Sequence, residues 1–180
     1  MSKILLFFLL ALVSCSNLRS LATFDFDTFY KELVDQHNIL RKKHSVGALT
    51  INTDIAKLAQ KTADECKAKG ELEHSGLEYN GIWMGQNLYV HGGKAPTGAA
   101  VANVWYSENQ YYDYDTRESK NDGVIYHFTQ LVWKTTTEIG CAVVEGSWSK
   151  YTESYYVCCN YLPGGNIFGL FTKNVLKPTS

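Results

Sequence analysis

Two cysteines, Cys158 and Cys159, stand side by side in the run Tyr155–Tyr161, near the end of the chain. The aromatic and β-branched content of that run reads as a strand. Side chains alternate across a strand, so Tyr155, Val157, Cys159 and Tyr161 share one face and Cys158 points the opposite way. Ile139–Val144 reads likewise, with Ile139, Cys141 and Val143 on one face, and a polar loop containing Gly146 and Ser147 joins the two strands as a hairpin. Setting aside Cys15, the remaining cysteines are Cys66, Cys141, Cys158 and Cys159. An even number in a secreted chain points to two disulfides, with three pairings open. No C-x-x-C spacing occurs, which argues against a zinc ribbon.

The secretory reading comes from the other end. Lys3 is followed by the apolar run Ile4–Val13 and then by small residues, Ser14 to Ser16. Ten apolar residues are too few to span a bilayer core of ~30 Å, so the segment reads as a signal peptide. Residues 1–16 are the expected leader, cleavage as late as 22 being compatible, and residues 23–180 the expected single domain. Leu12-Val13-Ser14-Cys15 also loosely resembles a bacterial lipoprotein box, which would make Cys15 a lipid anchor. No second long apolar stretch follows, so no transmembrane segment is expected. The chain of 180 residues is long enough for a substantial core. With 17 Lys+Arg against 18 Asp+Glu, it offers no general attraction to nucleic acid.

Three helices precede the hairpin. Asp25 or Asp27 caps the first, running to about His44, with Phe26, Tyr30, Leu33, His37 and Leu40 on one face. Arg41, Lys42 and Lys43 in its last turn read as charges favourable to the helix dipole. His37, on the buried stripe, reads as a core histidine satisfying backbone groups. Val46–Ile51 reads as a short strand. Asn52 or Thr53 caps a second helix that Gly70 ends, its buried face carrying Ile55, Leu58, Ala59, Thr62 and Cys66. A third begins near Thr97, with Val101, Val104, Trp105 and Glu108 as its stripe. A carboxylate continuing an apolar stripe needs a partner or an exit to solvent. His127–Trp133 is compatible with either a helical turn or a strand. Helices around a hairpin imply a layered α/β fold.

Several motifs carry polar chemistry: His37-Asn38-Ile39-Leu40-Arg41, His74-Ser75, Gly85-Gln86-Asn87-Leu88, His127–Trp133, and Cys159–Asn166. Taken in order, they resemble the CAP superfamily of cysteine-rich secretory proteins, antigen 5 and pathogenesis-related proteins. The resemblance runs from about Phe29 to Val175. It implies a three-layer α/β/α sandwich with a central, mostly antiparallel sheet, and a large cleft holding two histidines and two acids. Carried over by motif, these are His74, His127, Glu108 and the position of Gln86. The family usually has Glu where Gln86 stands, and Gln carries no charge and cannot act as a general base. His44 and His91 match no site position and read as surface residues.

Further expectations follow. A hairpin centred near Lys150 puts Cys141 opposite Cys159, the pairing the family also shows; Cys158 then faces the second helix, where Cys66 is its expected disulfide partner. His74 and His127 are suitable ligands for a weak divalent site, zinc foremost, with Glu108 and Gln86 in support. One acid cannot neutralise a divalent ion, and protons compete for the imidazoles, so affinity is expected to be modest and to fall in acid. No nucleophile is paired with a base, so no catalytic residue is assigned. The chain reads as a secreted extracellular binding or effector module for sterols, lipids or a protein partner. The competing class is a secreted metal-dependent hydrolase, a protease in particular.

Overall fold

Capping chemistry sets the helices where the sequence puts them. The computed structural model describes residues 24–76 and 78–179; the expected leader, with Cys15, lies outside them. The Asp25 carboxylate accepts the Thr28 N–H at 2.9 Å and opens α1, Phe26–Lys43. After the short β1, Thr50–Ile51, the Asn52 side chain accepts the N–H groups of Asp54 and Ile55 and starts α2, Thr53–Lys69, which Gly70 ends in the left-handed conformation. A small hairpin, β2 (Glu78–Tyr79) and β3 (Ile82–Trp83), leads into β4, Gly85–Gly92. Thr97 caps α3, Gly98–Ser107, and a 3₁₀ turn continues it over Glu108–Tyr111. His127–Trp133 resolves as helical: α4 spans Tyr126–Leu131. The hairpin β5 (Glu138–Trp148) and β6 (Tyr151–Leu162) follows, then a single turn, α5, over Phe171–Asn174.

The main sheet has the order β1-β5-β6-β4, with β1 parallel to β5 and the other pairs antiparallel. Alternation along β5 and β6 divides the interior in two. Ile139, Val143, Val157 and Tyr161 face a core built with α1, α3 and α4. Ala142, Val144, Tyr156 and Cys158 face α2 through Ala59, Ala63 and Cys66. The result is the expected α/β/α sandwich. Among the described residues no helix is long and apolar enough to cross a membrane.

Several expectations are corrected. The strand expected at Val46–Ile51 shrinks to Thr50–Ile51, because the preceding backbone is bound elsewhere: Val46 N–H bonds to the Arg41 carbonyl, and the Asn38 amide takes both polar groups of Leu49. Gly146 and Ser147 lie within β5 rather than in a loop, and the turn tightens to Ser149 and Lys150. On α3, Val104 is 47% exposed and Ala102 is buried in its stead.

The hairpin register places Cys141 opposite Cys159, and the two form a disulfide. The second expected bridge, Cys66–Cys158, is absent: both are buried free thiols. They share the α2 core, but each sulfur has another partner. Cys66 Sγ accepts the Glu73 N–H at 3.4 Å, and Cys158 Sγ donates to Asn160 Oδ1 at 3.8 Å.

Two polar residues of α1 also differ from expectation. Arg41 is fully buried rather than a terminal surface charge. Its guanidinium donates to the carbonyls of Gly47, Leu131, Trp133 and Thr136 at 2.7–3.0 Å. His44 is buried, between the Leu176 carbonyl and the Tyr106 hydroxyl, not on the surface; His91 is half-buried and stacks on Tyr89.

Candidate functional site

Three elements deliver the polar groups to one cleft. β4 is held on β6, which sets Gln86 opposite Asn160. The segment after α2 brings His74 and Ser75 over that strand. α4 begins at Tyr126 and presents His127, while the 3₁₀ turn after α3 supplies Glu108. The cleft holds about 430 Å³ and is lined by His74, Gln86 and His127 together with Trp83, Tyr126 and Asn166. That volume lies within the range of small-molecule pockets, roughly 300–1,000 Å³.

Glu108 stands behind His127 rather than in the cleft wall. One carboxylate oxygen lies 2.6 Å from His127 Nδ1, and the other accepts the backbone N–H groups of His127 and Phe128 at 2.9 and 3.2 Å. The carboxylate thereby caps the first turn of α4, which lacks a side-chain cap of its own. The partner that Glu108 required is thus the histidine plus a helix start. A carboxylate facing Nδ1 places a proton there and leaves Nε2 as the lone-pair nitrogen. The indole of Trp105 stacks on the same ring, with centroids 6.3 Å apart.

Gln86 uses its whole amide. Its oxygen accepts from His74 Nδ1 at 3.0 Å and from the Ser75 N–H at 3.2 Å. Its nitrogen donates to Ser75 Oγ at 2.9 Å and to Asn160 Oδ1 at 3.0 Å. Asn160 is fixed in turn, its own nitrogen donating to the Ile55 carbonyl at 3.1 Å. An amide oxygen only accepts, so His74 carries its proton on Nδ1, and Nε2 is again the free nitrogen. His74 is exposed, whereas the His127 and Glu108 side chains are 28% and 15% exposed.

A second network braces the cleft from below. Asn87 Nδ2 donates to the His127 carbonyl at 3.0 Å and to the Tyr161 hydroxyl at 3.1 Å. Tyr161 donates to His37 Nε2 at 2.8 Å, and His37 Nδ1 donates to the Leu33 carbonyl at 2.7 Å. Burial of this ring lowers the His37 pKa to about 4, so it stays neutral. His37 therefore has the core role its place on the helix stripe suggested.

All four residues expected at the site are thus brought together, three in the wall and Glu108 behind it. Ser75, Asn87, Trp105 and Asn160 were not singled out as site residues. Ser75, Asn87 and Asn160 lie within the polar motifs and Trp105 on the apolar stripe of α3, but only the register of β4 on β6 shows that Asn160 faces Gln86. Among the described residues no group of three or more His, Cys, Asp or Glu side chains is arranged to hold a metal ion. The donor set on offer is two imidazole Nε2 atoms, each oriented by an acceptor on Nδ1.

Comparison with known proteins gives a consistent picture. A sequence profile of the cysteine-rich secretory protein family, CAP, matches residues 34–161. "Pathogenesis-related protein 1B" of Nicotiana tabacum is 34% identical over 139 residues, covering 77% of each chain. "Secreted protein RBT4" of Candida albicans is 37% identical over 162 residues, covering 83% of this chain but only 41% of RBT4. The chain therefore spans about two fifths of that relative's length. The structure of venom allergen-like protein 4 of Schistosoma mansoni superposes with a TM-score of 0.55 at 24% identity, covering 76% of this chain and 88% of the other.

Proposed function

The chain belongs to the cysteine-rich secretory protein (CAP) family, and from that membership we propose that it acts outside the cell as a binding and effector module for a sterol or other lipid, or for a protein partner. The reading of residues 1–16 as a leader and of 23–180 as one domain goes with this proposal. The observation that supports it best is the assignment of polar groups in the cleft. Glu108 is fully engaged with His127 and two backbone N–H groups, and Gln86 uses both ends of its amide. The cleft is thus a pre-oriented recognition surface: among the described residues no hydroxyl or thiol is hydrogen-bonded to the free Nε2 of either histidine, and Gln86 cannot titrate.

His74 and His127 suit a weak divalent ion, zinc foremost. Each ring is oriented through Nδ1, as ligand histidines are, with Glu108 the outer partner of His127. Such an ion would supply Lewis acidity when bound. The chain's own contribution is to hold the two rings and keep their protons on Nδ1.

Two measurements on the secreted protein test the reading. Equilibrium binding of a labelled sterol and of a labelled fatty acid is expected to show saturable uptake of at least one. Metal-dependent cleavage of a peptide library, lost in His127→Ala, would sink the binding-module reading in favour of the hydrolase. Calorimetric zinc titration of wild type, His74→Ala and Gln86→Glu checks the metal site. Binding is expected to vanish in the first variant and tighten in the second; equal binding by all three excludes these residues as ligands.

A further inference from the structure

The loop between the 3₁₀ turn and α4 folds back on itself. The Asp113 N–H bonds to the Glu118 carbonyl at 2.9 Å, and the Lys120 N–H to the Tyr111 carbonyl at 2.7 Å. Arg117, at the bend, has a φ of +69°, in the left-handed region that a long side chain seldom occupies. Its own N–H fixes it there by bonding to the Asp113 carbonyl at 2.8 Å. The side chain then crosses to α5, where Nε donates to Thr172 Oγ1 at 3.2 Å. Among the described residues the guanidinium has no other hydrogen bond and no ion pair. Nη1 is shielded from solvent and has no partner. The Tyr112 hydroxyl, fully buried and within the field of the same guanidinium, has none either.

The nearby acids do not fill that need. The Asp113 carboxylate accepts the N–H groups of Asp115 and Thr116, and Asp115 pairs with Lys177. Glu118 is exposed and makes no pair with Arg117. Donors therefore collect here without an acceptor, and a guanidinium fork suits a carboxylate best. Arg117 also stands in the wall of a cavity of about 500 Å³. Ile125, Tyr126, Phe168 and Phe171 give that cavity an apolar side, and Thr116, Ser119 and Thr172 a polar one. Phe171 is steadied by Trp133, edge to face with ring centroids 5.2 Å apart. Phe168 is 97% exposed and Tyr126 60%. Two large rings left so open at one cavity mark an interaction surface. The cavity shares only Tyr126 with the lining of the histidine cleft.

We infer that this cavity receives the C-terminal end of an extended partner peptide, its carboxylate lying across the two terminal nitrogens of Arg117 and an apolar last side chain lying against Phe168 and Phe171. A carboxylate held end-on by the fork supplies the acceptor that Nη1 lacks. A chain end brings that carboxylate and the side chain from a single residue, so both fall within one cavity. A plain hydrocarbon acid fits less well. Its tail would cover the hydroxyls of Thr116, Ser119 and Thr172 without pairing them, whereas the amides of a peptide offer both donors and acceptors. Capture of a terminal carboxylate beside an apolar pocket is a common mode of peptide recognition. The inference does not depend on what the histidine cleft binds.

NMR titration of the folded, disulfide-bonded protein tests it. The probes are short serine–glycine peptides ending in leucine or phenylalanine, each as the free acid and as the C-terminal amide, with dodecanoate as the lipid acid. The free acids are expected to shift the Arg117 Nε–H and Phe168 amide signals saturably, and the amides to bind about tenfold more weakly or worse. Arg117→Gln is expected to lose binding to the same degree. Phe168→Ala, which leaves the core untouched, is expected to weaken it severalfold. Acid and amide are compared on the unaltered protein, so that result stands even where a variant misfolds. Equal affinity for acid and amide, or no saturable shift at Arg117 with any peptide, overturns the inference. Dodecanoate moving the Arg117 signal where no peptide does assigns the cavity to a lipid acid, and overturns it as well.

Discussion

His37 shows how a single ring links burial to pH. Desolvation holds its folded-state pKa at about 4, against ~6.5 in an unfolded chain. Above that upper value both states are neutral and stability is full. As pH falls towards 4 the unfolded chain takes a proton that the folded chain refuses, and stability is lost, on the order of 3 kcal/mol in all. His44, lowered chiefly by its own burial, acts in the same direction. Urea midpoints at pH 7 and pH 4.5 are expected to differ less in His37→Gln than in wild type; an unchanged difference would put the dependence elsewhere. Gln86 yields a second expectation. In Gln86→Glu a carboxylate oxygen would face Asn160 Oδ1, which cannot turn without giving up its bond to the Ile55 carbonyl. Thermal unfolding is expected to show a loss of about 1–3 kcal/mol, even where zinc binding improves. The identities of the cleft residues were legible in short motifs. The consumption of the Gln86 amide was not, because Asn160 is set opposite it only by strand register.

At the scale of elements, what the sequence declared plainly was local chemistry. Asp25, Asn52, Gly70 and Thr97 act on N–H and C=O groups within a few residues of themselves, and all four bound helices where expected. Arg41 departs from expectation because its partners are distant in sequence. A basic residue in a last turn looks like a dipole charge, yet this one ties α1 to the carbonyls that leave α4 and approach β5. Burial draws its pKa down to about 10, so it stays charged without a carboxylate partner. Lys cannot reproduce that fork, and Arg41→Lys is expected to cost about 3 kcal/mol or more by urea denaturation. A cost under 1 kcal/mol would mean that water serves those carbonyls equally well. Within the hairpin, Cys141→Ala with Cys159→Ala opens a link between residues 18 apart. A loss of about 3 kcal/mol is expected on the same measurement.

Taken whole, the molecule is a sheet between two unequal cores, and the free thiols report on the smaller one. Cys66 and Cys158 are 2% and 0% exposed beneath α2, and burial pushes the Cys158 thiol far above its ordinary pKa. If the sandwich opens as one unit, thiol reagents will label both cysteines at one common rate, with the denaturant dependence of global unfolding. Faster labelling of Cys66 alone would show that α2 lifts off first. The adjacent cysteines of β6 also bear on how the chain matures. Strand parity puts the Cys159 sulfur on the same side as Cys141 and the Cys158 sulfur on the reverse side. For Cys141 to couple with Cys158 instead, the hairpin would have to slip by one residue and turn each core inside out. Oxidation therefore doubles as a proofreading step: the correct bond can close only on a correctly aligned sheet, and a mispaired one marks a chain that thiol–disulfide exchange has reason to reopen.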